Sequence, residues 1–147
     1  MSPVKVRASF YLRLALMHIC IDFESYSCAD LKKTGAYKYS EHPSTEVLCI
    51  AYAFNDGEPI LWHPGLPPPL DLFEAIEQGA VVDAHNVGFE RAVWENVCVK
   101  RMGWPEIEPH KYDCTMARAA SRALPLGLEQ CAAALGLDVR KDKRGKQ

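Results

Sequence analysis

Two carboxylates, Asp22 and Glu24, stand two residues apart in "HICIDFESYS" (18–27), at the end of a run that is mostly apolar and partly β-branched. Residues i and i+2 of a strand project from the same face, roughly 6.6–6.8 Å apart along its axis. Both acids would therefore leave the strand end together. Two such charges held about 4 Å apart at an effective dielectric near 20 repel by about 4 kcal/mol. A cation relieves that repulsion, and oxygen-only ligands suit a hard one such as Mg²⁺ or Mn²⁺. Read alone, the triplet D-x-E favours a plainer account, in which Asp22 closes the strand and Glu24 caps the next segment.

A second constellation lies in "AHNVGFERAVW" (84–94), where a small apolar strand leads into His85 and Asn86, and Glu90 falls in the first turn of a helix. On its own this is ordinary helix-start chemistry, with Asn86 or Gly88 near the cap and an acid favoured by the helix dipole. Phe89 and Trp94 likewise read as core residues by themselves.

The elements that must position these acids follow from the apolar periodicity. A first strand is expected over about 14–24, a second over "EVLCIAYAF" (46–54) and a third over "PILWHP" (59–64). The link "NDGE" (55–58) between the last two is a tight-turn signal and predicts an antiparallel hairpin. After the breaker "GLPPP" (65–69), a short amphipathic helix runs to Gly79, followed by a buried strand over 80–84. A longer helix from Asn86 ends near Gly103, ahead of Trp104 and Pro105. "KYDCTMARAASRALP" predicts a strand end running into a helix that stops before Pro125, and "GLEQCAAALGL" one more helix, closed by Gly136. An antiparallel meander continued by helix-linked strands is an α/β architecture with a mixed sheet flanked by helices.

Composition sets the frame around this. A chain of 147 residues fits one domain and can bury roughly 68–70% of its unfolded surface without disulfides. With 48% hydrophobic and 24% charged residues, it is neither disordered nor membrane-like in composition. The six cysteines (20, 28, 49, 98, 114 and 131) are scattered with no C-x-x-C pair, which favours free thiols and a cytoplasmic setting over a disulfide frame or a zinc site. The opening "MSPVKVRASFYLRLALMHICI" is interrupted by Arg13 and leads straight into Asp22 without a small-residue cleavage site, so it is not read as a signal peptide. No apolar stretch is long enough to span a bilayer. Charge is uneven: residues 1–13 and 138–147 each carry +3, which leaves the body at −8 within a net charge of −2. An acidic body argues against a DNA-binding module held by a broad basic face, but not against an enzyme that meets phosphate through bound cations.

Taken together, a strand-end D-x-E, a meander, a helix, and H-N-x-x-F-E opening another helix resemble the layout of the DEDD 3′→5′ exonucleases. Their fold is ribonuclease H-like, as in the proofreading epsilon subunit of bacterial replicases. The stretches "DLKKTGAY", "EHPSTEVLC", "AHNVGFERAVWENV" and "DCTMARAASRALPLGLEQCAAALGL" resemble most closely the exonuclease domain that opens phage and prophage family A DNA polymerases. The likeness runs from about His18 onward. It implies that Asp22, Glu24 and Glu90 bind two Mg²⁺ or Mn²⁺ ions, with Asp22 bridging, and hydrolyse phosphodiester bonds at a 3′ end. One ion would activate the attacking water and the other stabilise the leaving oxygen. It further implies that His85 and Asn86 support the turn before Glu90 and the terminal nucleotide, that Phe23 and Phe89 also bind substrate, and that Asp113, in "YDCT", is structural support more than a ligand.

The implied substrate is a single-stranded DNA 3′ end, with RNA not distinguished by these residues, and the implied partner is a polymerase domain in the same polypeptide. The family's third motif, a Tyr or His followed by a last Asp on a C-terminal helix, has no counterpart at suitable spacing. His110-Lys111-Tyr112-Asp113 precedes two helices that should come before that motif, and Asp138 and Asp142 sit in a basic, aperiodic tail. The expected organisation is thus a lead-in over 1–17, an exonuclease-like domain over 18–137 without its C-terminal helix, and a basic tail over 138–147. Weak or no activity is expected of this chain alone, and an inactive module that binds nucleic acid or protein is the alternative.

Overall fold

The structure, a computed structural model, describes residues 17–138. The expected lead-in and tail therefore lie, apart from Met17 and Asp138, outside the described residues. Strand β1 (His18–Tyr26) alternates buried Ile19, Ile21 and Phe23 with outward-facing Cys20, Asp22 and Glu24. This is the period-2 pattern of a strand with one covered face. Strand β2 (Glu46–Phe54) coincides with the expected span, and β3 shortens to Ile60–Trp62 just ahead of Pro64. Between them Asn55 takes φ 51° and Gly57 N–H donates to the Phe54 carbonyl at 2.9 Å, closing the predicted hairpin.

With β4 (Val81–Ala84) and β5 (Tyr112–Cys114), these strands form a mixed sheet in the order β3-β2-β1-β4-β5. β1 pairs antiparallel with β2 and parallel with β4, and β4 pairs parallel with β5. A three-stranded antiparallel meander extended by two parallel strands, flanked by helices, is the ribonuclease H-like arrangement expected.

Helix α1 (Leu31–Glu41) has no counterpart among the elements expected from the periodicity. Gly35 breaks its regularity at φ 78°, and the helix is held from outside its own sequence. Asp30 caps it by accepting from the N–H groups of Lys32 and Lys33 at 2.9 and 3.3 Å. At the other end Arg101, sixty residues on, donates to the carbonyls of Ser40, Glu41 and His42 at 3.2, 3.2 and 3.0 Å, and to that of Thr45 at 2.8 Å. Terminal carbonyls lack intrahelical partners, and a guanidinium supplies several donors at once. Arg101→Ala is expected to lower unfolding free energy by about 2 kcal/mol, because hydrogen bonds from charged donors exceed neutral ones. The check is a lower urea midpoint at unchanged slope.

Helix α2 (Leu70–Glu77) lays Leu72, Ala75 and Ile76 on the covered face of the sheet. Helix α3 (Gly88–Val93) continues as a π-helix over Trp94–Val99 and returns to an α turn at Lys100–Met102. Gly103 then ends it in the left-handed region at φ 70°. The core gathers Trp94, Trp104, Trp62 and Phe73, whose rings meet edge-on at centroid distances of 4.9–5.2 Å. After β5 come α4 (Thr115–Ala120), which turns away through Ala123 ahead of the expected stop before Pro125, and α5 (Leu128–Ala134). Among the described residues no helix is long and apolar enough to cross a membrane, and all six cysteines are free.

Candidate active site

The uncovered face of the sheet carries Asp22 and Glu24 on its central strand, as the alternation predicts, but the strand runs on to Tyr26 and so holds the pair within its length rather than at the expected end near 24. Just beyond Glu24 the pairing with β2 shifts, so that Glu24 faces Cys49 while Ser25 faces Val47. Leu48 is the extra residue of this β-bulge. Phe23 corrects an expectation. Strand alternation turns it to the opposite face, where it is buried against Trp94 at 6.3 Å, a core position rather than a substrate contact.

Glu90 is brought to the same neighbourhood by the first turn of α3. Its carboxyl is buried, at 5% exposure, and its Oε2 has no hydrogen-bond partner. Burial pushes its pKa up, its own backbone N–H pulls it down, and the negative charge of Asp22 raises it again, leaving it at about 7. Cys20 stands among the same groups. Burial, then the charges of Asp83, Asp22 and Glu90, raise its thiol pKa. Sequence reading did not single out Cys20, although its place at i−2 from Asp22 puts it on the same face.

Asp83, also missed, is 8% exposed and bracketed by two bases, His18 Nδ1 at 2.7 Å and Arg118 at 3.7 Å. Arg118 reaches across to Asp113 Oδ2 at 3.4 Å, so Asp113 takes part in an ion-pair network that ties α4 to the paired strands β4 and β5.

The turn that delivers Glu90 is fastened to the β5–α4 junction. Asn86 takes φ 65°, a left-handed conformation that asparagine tolerates better than most residues. The His85 ring lies 3.0 Å from Thr115 Oγ1 and 2.7 Å from the Leu126 carbonyl. At Cys114 burial alone would raise the thiol pKa, but the backbone N–H groups of Ala117, Val87, Asn86 and Met116 outweigh it and pull the value below the ordinary one. Phe89 is half-buried against the Tyr39 ring at 6.0 Å, and Tyr39 in turn bonds Ser25 at 3.0 Å.

Asp22 and Glu90 are thus in electrostatic contact, and Glu24 shares the face of Asp22. The donor set is oxygen-only and carries an orphaned buried carboxylate oxygen, which suits a hard divalent cation. Among the described residues no three His, Cys, Asp or Glu side chains converge closely enough to hold one. The fit is therefore in kind and charge, without a closed cluster of three ligands among the described residues.

No family model matches the chain. Over 132 residues, 87% of its length, it is 35% identical to a DNA polymerase of Bacillus phage SP02, and that stretch is 19% of the polymerase. The chain spans less than a fifth of that relative's length. This likeness supports reading it as a domain related to one segment of a phage DNA polymerase.

Proposed function

We propose that the chain is a 3′→5′ exonuclease domain of a phage-type DNA polymerase, acting on single-stranded DNA 3′ ends in proofreading. The observation that carries this reading is the buried Glu90 carboxyl, whose Oε2 has no hydrogen-bond partner, coupled to Asp22 on the central strand of a ribonuclease H-like sheet. Asp22, Glu24 and Glu90 would hold two Mg²⁺ or Mn²⁺ ions, which supply a metal-activated water and a positive charge for the leaving 3′-oxygen.

The chain's own part is to keep three acids in one electrostatic field. Two of them project from a stretch of β1 held by its pairing with β2, and the third is buried so that a cation, rather than water, is its best partner. Asn86 and Phe89, in the turn and first residues leading to Glu90, are where a terminal nucleotide would rest. The spread of the three carboxylates implies slow turnover by this chain alone.

The test uses 3′-labelled single-stranded DNA with Mg²⁺ or Mn²⁺, run beside Asp22→Ala. Slow, metal-dependent release of nucleoside monophosphates that falls to background in the variant is expected. Tight DNA binding with no metal-dependent shortening in either protein would instead favour an inactive, binding role for the module.

A further inference from the structure

His85 stands between β4 and the turn that carries Glu90, and both of its ring nitrogens are engaged inside the chain. A carbonyl oxygen only accepts, so the 2.7 Å contact with the Leu126 carbonyl places a proton on Nε2. In the neutral ring Nδ1 is then the acceptor for the Thr115 hydroxyl at 3.0 Å. That hydroxyl lies 3.4 Å from the Ala84 carbonyl, a poorer partner for its single proton. The ring thereby joins three points: the end of β4, the first residue of α4, and the loop that leads into α5.

The far end of this tie lies in an exposed segment. Residues 125–130 are all exposed, and α5 buries Cys131 alone. Leu126, Leu128, Leu135 and Leu137 are each more than half exposed. The 2.7 Å bond from a partly buried ring is therefore one of the contacts that fix the place of a segment otherwise open to solvent. The near end is short and stiff. Asn86 is in the left-handed region, its N–H and that of Val87 face the Cys114 sulphur, and Phe89 N–H donates back to the Asn86 carbonyl at 3.1 Å. Glu90 is the next residue.

We infer that His85 is a positioning residue: its ring couples the docking of the segment from Leu126 through α5 to the turn that sets the Glu90 carboxylate opposite Asp22. Polypeptide joined after α5 would pull on this tie, so the C-terminal segment and the acidic site respond together. The metal half of this inference rests on the proposed function, and the mechanical half does not.

Two substitutions separate the bonds. In His85→Asn the amide can replace Nδ1 opposite Thr115 but cannot reach Leu126, whereas in His85→Gln an amide N–H can stand in for Nε2 and donate to the Leu126 carbonyl. In the full chain, amide exchange at Cys131 and Leu135, which are bonded within α5, should quicken by about tenfold in His85→Asn, as loss of one anchoring hydrogen bond implies. Exchange at Phe89 and Arg91 should quicken with it, and Mn²⁺ affinity measured by calorimetry should weaken by about tenfold, the low end for residues that orient a ligand. His85→Gln should restore all three. Looser α5 amides with wild-type exchange at Phe89 and Arg91 would overturn the coupling, as would failure of His85→Gln to rescue. Should the wild type bind no Mn²⁺, the metal reading fails, and the paired exchange rates still decide the coupling.

Discussion

Glu90→Gln is expected to stabilise the protein above pH 7 by about 2–3 kcal/mol while removing its response to divalent cations. The sign depends on where the proton sits. Glu90 holds its proton up to about pH 7 in the folded chain, against 4.5 ordinarily, so between those values the folded state binds more protons than the unfolded one. Stability from this group is fully present below about pH 4.5 and is lost as pH rises toward 7. The uncharged amide has no such loss. The difference between variant and wild type should therefore be near zero at pH 4.5 and grow to a plateau above pH 7, read as a melting-temperature gap of roughly 5–10 °C for a domain of this size. At about pH 7.5 saturating Mn²⁺ should raise the melting temperature of the wild type and release protons, because a bound cation supplies the charge partner that Oε2 lacks. The variant should show neither effect. A flat pH dependence of the gap would mean that the Glu90 carboxylate is solvated rather than buried.

The second large effect is expected at the opposite face of the sheet. Trp94 is fully buried, packs edge-on to Trp104 at 5.2 Å and against Phe23 at 6.3 Å, and donates its indole N–H to the Pro105 carbonyl at 2.9 Å. Trp94→Ala removes the largest fully buried side chain and leaves that carbonyl unpaired. A loss of about 3–5 kcal/mol is expected, a large part of the total stability of an ordinary domain. Urea unfolding followed by circular dichroism measures it without relying on indole fluorescence. Trp94→Phe keeps most of the packing and should lose only about 1–2 kcal/mol, chiefly for the missing N–H. Phe23 lies between Asp22 and Glu24, so the alanine variant should also weaken Mn²⁺ binding more than its remaining stability would suggest.

These two sites show which parts of the molecule the residues announce. The bounds of β2 coincide with an apolar run bracketed by turn residues, and the shared face of Asp22 and Glu24 follows from strand alternation alone. The same alternation sends Phe23 inward. Local pattern could not reveal α1, whose chain direction breaks at Gly35 and whose carbonyl end is held by Arg101. Nor could it reveal the burial of Glu90. An acid in the first turn of a helix ordinarily faces water, and only the packing of α3 against β1 and α1 takes this one out of it. The partners of His85 lie 30 and 41 residues away in sequence, at separations that no periodicity reports. The Asp83 network escaped for the same reason: "AVVDA" reads as a buried strand, and its acid is tolerated there because His18 and Arg118 arrive from two other elements.

The π-helical stretch Trp94–Val99 acts as a phase shifter within one long helix. Each helical residue turns the face by about 100°, so the residue accommodated by the wider turn resets the bearing of everything after it. Before the stretch, the helix aims Glu90 toward the sheet; after it, the same helix aims Arg101 at the carbonyl end of α1. In an unbroken α-helix the two bearings would conflict by about one residue's rotation. A one-residue deletion here would leave an unbroken helix and mistime its two ends, so that the acid and the guanidinium could no longer both face their partners.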